Sequence, residues 1–333
     1  MQKRWLLCMV AMVLVIGIGS ANQVLAEGKV AIVFATGGLG DKSFNDSAMR
    51  GMKLAEEQFG IEYDFAEPTA IAEYPTFLTQ FANTGQYDLI ISIGFDQADA
   101  LTEIAGQFPD QKFAIVDMVV DKPNVASFVY IEKERGFLMG VASAMMTTKA
   151  DDPRINPEKV IGVIGGMQIP LIDANIAGFM AGAKYLDPEV EVLHSYVGHW
   201  ADPAKGKELA LSMIEQGADV VWGAAGRSGL GVINAAQEKN VYTIGSDSDQ
   251  GYLAPENVLT NGMKFVDQTV LLAIKWVIEG TFEGKPNVLG VKENVLGYSE
   301  SLLPADVIEK LEEVKAKMIA GEIEIPETIE EVK

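Results

Sequence analysis

The chain has 333 residues, enough for two domains of ordinary size, and carries 47 acidic against 26 basic side chains. Its net charge of −21, with no basic stripe to offset it, argues against nucleic acid as a partner, because phosphates would be repelled. The single cysteine, Cys8, excludes a disulfide within the chain and a site built from several thiolates.

The N-terminal segment has a composition of its own. Lys3 and Arg4 precede the apolar residues 5–18, and small and polar residues lead from there to Ala26. This order is typical of a secretory signal peptide over residues 1–26. A membrane anchor is the alternative, but roughly 14 apolar residues are fewer than the ~20 that a spanning helix needs. We therefore expect export to the periplasm, and Cys8, inside the apolar stretch, does not predict a lipid attachment.

After this segment, apolar runs of strand length alternate with segments of helical period. Alternation of this kind predicts parallel sheets with helices on both faces, so the expected fold class is α/β and doubly wound. The predicted strands span residues 29–34, 61–65, 88–94, 112–117, 125–130, 159–164, 190–197, 219–223 and 240–245. The predicted helices span residues 43–59, 75–84, 97–108, 132–148, 171–185, 203–216, 229–239, 266–279 and 304–320.

Three strand segments of the first half recur in the same order in the second half, each about 130 residues later. Although any two doubly wound lobes look alike to some degree, this order favours one lobe that was built twice. We expect lobe 1 to span residues 27–130 plus about 255–285, and lobe 2 to span 131–254 plus about 286–333. The matches are KVAIVF at 29 with KVIGVI at 159, DLII at 88 with DVVW at 219, and FAIVD at 113 with VYTIGSD at 241.

Two such lobes enclose a cleft. In open parallel sheets, ligands bind beyond the carboxyl ends of the strands, so the residues that directly follow each strand are the candidates for binding. These residues are 36–45, 95–96, 117, 165–167, 198–200, 224–227 and 247–250.

The glycine-rich segment ATGGLGDKSFND at 35–46 joins the first predicted strand to the first predicted helix. A dinucleotide site requires G-x-G-x-x-G, but Ser43 stands at the third glycine position after Gly38 and Gly40. Asp41 would repel a phosphate at the helix N-terminus while it caps the helix itself. The turn is therefore better suited to a neutral ligand that approaches the glycine backbone.

Two aromatic residues stand at strand ends in different lobes. Phe44 begins the first predicted helix and shares a helical stripe with Met52, so packing in the core is its alternative role. Trp200 follows the seventh predicted strand, and its alternative role is to cover the helix that begins at Pro203. If both rings face the cleft, closure would sandwich a flat heteroaromatic ring between them.

Asp117 and Asp247 end equivalent strands of the two lobes. A carboxylate there can accept two hydrogen bonds from a sugar diol or a base edge, whereas capping a helix or turn is the alternative. Asp249 follows at metal-ligand spacing, but the remaining positions of a calcium loop are not filled. His194 and His199 fall on opposite faces of an extended segment. We therefore expect no metal and no cofactor, while acid–base catalysis by the two carboxylates stays open.

Several segments closely resemble the signature of the basic membrane protein family, the PnrA-like solute-binding proteins of ABC importers. They are DKSFN at 41–45, YVGHWAD at 196–202, AAG at 224–226, IGSDSDQGYLAP at 244–255 and Lys264. The likeness covers essentially the whole mature chain. It implies a type I periplasmic-binding fold, in which two α/β lobes joined by crossing segments close on one ligand.

The resemblance also implies a function and a set of site residues. The protein would be a non-enzymatic receptor that captures a small-molecule ligand and, as a monomer, presents it to a membrane permease. Nucleoside receptors of the family stack a purine between two aromatic residues, which match Phe44 and Trp200, and hold the ribose hydroxyls with a carboxylate, which matches Asp247. The other positions near base and sugar match Asn45, Asp117, Gly226 and Lys264.

One position departs from the family pattern. Many relatives have an aspartate where this chain has Ala35, and in nucleoside receptors that aspartate helps to read the base edge. Together with Trp200, where phenylalanine is common, this departure leaves a flavin or another heteroaromatic ligand open beside a purine nucleoside. A nucleoside-cleaving glycosidase and a sensory receptor are the remaining alternatives.

Overall fold

The computed structural model describes residues 28–332 and places their strands in two six-stranded sheets. The predicted signal peptide, including Cys8, lies outside the described residues. The first sheet contains β1 (Lys29–Val33), β2 (Glu62–Ala66), β3 (Leu89–Ile93), β4 (Phe113–Val116), β5 (Val125–Tyr130) and β11 (Pro286–Leu289). The second contains β6 (Val160–Gly165), β7 (Glu191–Tyr196), β8 (Ala218–Ala224), β9 (Tyr242–Asp247), β10 (Val258–Lys264) and β12 (Leu296–Tyr298).

Helices connect these strands, and none in residues 28–332 is long and apolar enough to cross a bilayer. All predicted helices and strands are present, with ends within two residues of the predicted ones. The helices are α1 (Phe44–Phe59), α2 (Tyr74–Thr84), α3 (Ala98–Gln107), α4 (Glu132–Thr147), α5 (Pro170–Leu186), α6 (Pro203–Glu215), α7 (Gly229–Lys239), α8 (Val266–Ile278) and α9 (Ala305–Ile319).

The two sheets share one topology. Their strand orders are β2-β1-β3-β4-β5-β11 and β7-β6-β8-β9-β10-β12, and every pairing is parallel except that of β10 with β12. The strands that the sequence repeat matched, β1 with β6, β3 with β8 and β4 with β9, therefore occupy the same places in the two sheets. The predicted α/β class is confirmed.

Three strands were not predicted, and they change where the lobes meet. β10 lies inside the second sheet, although the predicted lobe 1 included residues 255–285. β11 pairs with β5 at the edge of the first sheet, although residues 286–289 were assigned to lobe 2. Asn261 and Gly262 interrupt the apolar pattern of β10, and β11 and β12 are too short to show a period. Which sheet each of these strands joins depends on the neighbouring strand with which it pairs, and the sequence pattern does not show that neighbour.

The chain crosses between the lobes after β5, after β10 and after β11. In the second lobe, α4 and α5 then pack backbone to backbone. A Cβ atom on Gly140 would stand 2.0 Å from the carbonyl oxygen of Phe179, and one on Gly182 would stand 2.1 Å from that of Phe137. The helices approach this closely only because glycine leaves the contact free of side chains. This contact holds α4, the first crossing element, against the core of lobe 2.

Replacement of Gly140 by alanine tests this packing. Alanine normally favours a helix over glycine by ~1 kcal/mol, but here its methyl group would force the helices apart. We expect Gly140→Ala to lower the free energy of unfolding by roughly 1–3 kcal/mol, the usual cost of overpacking, in urea titrations followed by circular dichroism. Gly297→Ala is the matched control, because a Cβ there meets nothing within 4 Å. Equal stability of the two variants would contradict the prediction.

Candidate functional site

A cavity with an empty volume of about 660 Å³, partly open to solvent, lies between the lobes at the carboxyl ends of the strands. All the residues predicted to bind ligand line it, so the structure brings them together in one place. Whether they contact a ligand stays a prediction. They are Phe44, Asn45, Asp117, Trp200, Gly226, Asp247 and Lys264.

The glycine-rich turn is held by its own side chains. Asp41 accepts hydrogen bonds from the backbone N–H groups of Ser43 (2.9 Å), Asn45 (2.8 Å) and Asp46 (3.1 Å), so it caps α1 as predicted. Burial raises the pKa of Asp41 to about 6, although these N–H groups act in the opposite direction. Because its carboxylate occupies the helix N-terminus, a phosphate has no N–H groups to bind there.

Asn45 supports the same turn from inside the cavity wall. Its Oδ1 accepts a hydrogen bond from the backbone of Ala35 at 3.0 Å, and its Nδ2 donates to the carbonyl of Gly38 at 3.3 Å. The amide group is thus engaged with the protein backbone on both sides. Asn45 therefore shapes the wall on which a ligand would rest.

The two aromatic residues reach the cavity from different lobes. Phe44 is half-buried and lies 5.0 Å, at its ring centroid, from the Nζ atom of Lys264. The indole of Trp200 lies against bare backbone, since a Cβ atom on Gly166 would stand 2.3 Å from its ring. Gly226 lies in the left-handed region with φ of 56°, and a Cβ atom added there would stand 3.7 Å from the same ring. The predicted stripe is divided: Met52 is fully buried in the core, whereas Phe44 meets the cavity.

A buried ion cluster, formed by Asp117, Glu132, Arg135, Asp247 and Lys264, forms the floor of the cavity. The Nζ atom of Lys264 donates to both oxygens of Asp117, at 2.6 and 2.8 Å, and to Glu132 at 2.7 Å. Arg135 pairs with Glu132 at 2.8 Å and with Asp247 at 2.5 Å. The other oxygen of Asp247 accepts a hydrogen bond from the hydroxyl group of Ser43 in lobe 1.

The charges in this cluster do not cancel, because three carboxylates face two cations. Burial raises the pKa of Asp117 to about 6, while the neighbouring Lys264 acts to lower it. Burial alone would lower the pKa of Lys264, but Asp117 and Glu132 raise it above its ordinary value. The ammonium group of Lys264 therefore stays charged, and by formal charge the cluster holds one carboxylate more than it has cations. It therefore favours a neutral or cationic ligand that donates hydrogen bonds.

Asp117 and Asp247 also share a backbone conformation. Both lie in the left-handed region, with φ of 76° and 64°, at the ends of the equivalent strands β4 and β9. Non-glycine residues rarely adopt this conformation, which is concentrated at functional sites. Both side chains form ion pairs inside the cluster, so the alternative that they cap helices does not fit their contacts.

Four residues at or beneath the cavity were missed by the sequence-based site prediction. Glu132 and Arg135 stand at i and i+3 at the start of α4, and this buried strand followed by paired charges is a signal that could have revealed them. Arg227 and Asp96 fall in strand-end segments but gave no signal of their own. Arg227 donates to the carbonyl oxygen of Leu39 at 2.6 Å across the cleft. This contact forms only when the two lobes of the folded chain come together.

Within residues 28–332, no group of three or more histidine, cysteine, aspartate or glutamate side chains is arranged to hold a metal ion. The cavity offers aromatic rings, carboxylates paired with cations, and glycine backbone. Such a set is suited to bind and orient a small molecule between two lobes, as solute-binding proteins of the two-lobed type do.

Comparison with known proteins agrees with this class. The family model described as ABC transporter substrate-binding protein, PnrA-like, matches residues 29–329, and the chain belongs to this family. The sequence is 36% identical to an uncharacterized lipoprotein of Pyrococcus horikoshii, over 85% of this chain and 72% of the relative. It is 32% identical to basic membrane protein A1 of Borrelia garinii, over 90% of this chain and 88% of the relative.

A solved structure is similar over nearly the same length. It is an ABC transporter solute-binding protein of Aeropyrum pernix, with a TM-score of 0.81 and 30% identity, covering 89% of this chain and 92% of that one. The type I periplasmic-binding fold and the family expected from the sequence are therefore confirmed. Membership also defines the general role: an extracytoplasmic protein that binds a small molecule for an ABC permease.

Lys264 tests the energetics of the ion cluster. We expect Lys264→Met to lower the free energy of unfolding by roughly 3–5 kcal/mol, because Asp117 would remain buried without a cation. Addition of Asp117→Asn to this variant should restore part of the loss. Lys275→Met, on the half-exposed face of α8, is the control and should cost less than about 1 kcal/mol. Urea unfolding of the three variants measures this difference, and similar losses for both lysines would contradict it.

Arg227 tests closure of the cleft. We expect Arg227→Ala to weaken closure by about 1.5–3 kcal/mol, the usual contribution of a hydrogen bond from a charged donor. Small-angle X-ray scattering should then report a larger radius of gyration than for the unaltered protein. Arg154→Ala is the control, since Arg154 makes its hydrogen bonds, to Asp152, Tyr242 and the carbonyl oxygen of Glu256, within lobe 2. If both variants scatter alike, Arg227 does not hold the lobes together.

Proposed function

We propose that this protein is the receptor of an ABC importer for a purine nucleoside or a closely similar nucleoside-like molecule. The observation that carries this proposal is the cavity itself, with Phe44 and Trp200 on walls from different lobes and paired carboxylates on its floor. In the proposed complex, a planar base would lie between the rings and a sugar against the carboxylates.

The carboxylates suit a diol because their geometry is already fixed. Arg135 and Ser43 each occupy one oxygen of Asp247, and Lys264 occupies both oxygens of Asp117. A carboxylate has about four lone-pair positions, so each oxygen can still accept a hydrogen bond from a sugar hydroxyl. Side chains that are held in place before binding lose little conformational entropy when the ligand arrives.

Closure couples binding to transport. A ligand that contacts both lobes binds the closed form more tightly than the open form and shifts the population toward it. The permease would then recognise the closed receptor. We propose that the receptor acts as a monomer in the periplasm after removal of residues 1–26. Relatives from Pyrococcus are named lipoproteins, so a lipid-anchored receptor is the alternative form.

Direct tests distinguish the proposed function from two alternatives, a flavin ligand and a glycosidase activity. A flavin would also use both aromatic walls, and Trp200 offers it the broader of the two surfaces. A nucleoside-cleaving glycosidase would need a carboxylate that activates water, a role that the ion pairs of Asp117 and Asp247 do not favour. Mass spectrometry of small molecules released from the purified protein identifies the ligand. Incubation with nucleosides then distinguishes the two activities, because a receptor binds stoichiometrically and a glycosidase releases free base.

Trp200 tests the aromatic stack. We expect Trp200→Ala to weaken the binding of inosine by ~1–3 kcal/mol, by analogy with base–aromatic stacking, in isothermal titration calorimetry. Trp200→Phe is the matched control and should retain most of the affinity, since phenylalanine also presents a ring. An unchanged dissociation constant for Trp200→Ala would mean that Trp200 only covers the neighbouring helix. If neither nucleosides nor riboflavin bind the unaltered protein, the proposed ligand class is wrong.

A further inference from the structure

Asp96 presents its carboxylate to the cavity away from the ion cluster. It follows β3 in lobe 1, is half-buried, and lines the cavity together with Ala35 and Thr36. No cation among the described residues pairs with it, unlike Asp117 and Asp247. Burial raises the pKa of Asp96 above its ordinary value, although hydrogen bonds from its neighbours partly oppose this shift.

The backbone N–H group of Thr36 determines in which direction the hydroxyl group of Tyr74 donates its hydrogen bond. The N–H group of Thr36 donates to the hydroxyl oxygen of Tyr74 at 2.9 Å, so this oxygen acts as an acceptor there. Tyr74 in turn donates its proton to Oδ2 of Asp96 at 3.1 Å. Burial raises the pKa of Tyr74 well above its ordinary value, so the hydroxyl group keeps that proton. The hydroxyl of Thr36 also lies 3.4 Å from Oδ2.

The second oxygen of Asp96 is in a different position. No other residue in the described part of the chain donates a hydrogen bond to Oδ1. Gly94 keeps the space beside it clear, because a Cβ atom on Gly94 would stand 3.1 Å from Oδ1 and 3.1 Å from the methyl group of Ala35. Neighbouring side chains therefore orient Asp96 through Oδ2, and its own backbone N–H group also acts on the carboxylate. Because a carboxylate has about four lone-pair positions, Oδ1 can still accept a hydrogen bond from a ligand.

We propose that Asp96 determines specificity by accepting a hydrogen bond from a ring N–H of the ligand. The preferred ligands would then carry a lactam N–H, as 6-oxopurine nucleosides do, and rings with only bare nitrogens at that edge would bind more weakly. This inference rests on the proposed function, since it requires a nucleoside-like ring in the cavity. Asp96 would read the ring edge while the ion cluster holds the sugar.

The chemistry follows from desolvation. When a ring enters the cavity, Oδ1 loses its water, and an N–H donor replaces the lost hydrogen bond. A bare ring nitrogen in the same place leaves the carboxylate without a donor and sets two acceptors against each other. Sites built to accept from a polar group discriminate strongly against analogues that lack it, for this reason.

Inosine and purine riboside provide the test. They share the sugar and the ring system, but only inosine carries the lactam N–H. We expect the unaltered protein to bind inosine at least ~10-fold more tightly in isothermal titration calorimetry. Asp96→Asn should reduce this preference about 10-fold or reverse it, because an amide group can also donate to a bare nitrogen. Asp99→Asn, on the exposed start of α3, should leave the preference unchanged.

The outcomes separate the two proposals. If the unaltered protein binds neither nucleoside, the proposed function fails first. If it binds both equally, or if Asp96→Asn keeps the original preference, only the role of Asp96 is overturned. Circular dichroism checks the fold of the variant. Should the variant not fold, the affinity ratio of the unaltered protein decides, since a ratio near one contradicts the inference.

Discussion

The buried ion cluster is the interaction on which the site depends, because it joins the elements that connect the two lobes. Lys264 ends β10, just before the second crossing, and Glu132 and Arg135 begin α4, just after the first. Their partners Asp117 and Asp247 end one strand in each sheet. Removing ions from water is costly, so such charges are tolerated only with close partners. The ion pairs therefore hold the strand ends and the crossing segments in one arrangement.

This constraint also shapes the cavity. The carboxylates face the cavity with their orientation already set, and the aromatic residues approach from either side on separate lobes. Contacts across the cleft then depend on the lobes being closed: Arg227 reaches Leu39, and Gln250 donates to the carbonyl of Lys42 at 3.0 Å. A floor of paired charges between walls from two lobes is suited to a receptor that holds a solute between those lobes. The proposed recognition of a ring edge by Asp96 adds a contact on the wall of lobe 1.

Much of the fold could be predicted because its signals are local. Parallel strands that are buried on both faces appear as short apolar runs, and β3, β6 and β8 show such runs clearly. The repeated segments indicated two lobes, and the rule that ligands bind beyond strand ends gathered the predicted residues around one cavity. β10 escaped prediction because Asn261 and Gly262 interrupt its pattern. β11 escaped because it is too short to show a period, so the sheet membership of both strands differs from the predicted lobes.

The sequence by itself determined the α/β class, the duplicated lobe, the capping role of Asp41 and the family. Each of these depends on a period, a spacing, a repeat or a motif that is visible along the chain. Only the tertiary structure decided which sheet receives β10 and β11, which charges pair in the ion cluster, and which oxygen of Asp96 accepts from Tyr74. These features join residues that are far apart in the chain, such as Asp117 with Lys264. No local pattern reports contacts of this kind, because they form only when separate elements pack together.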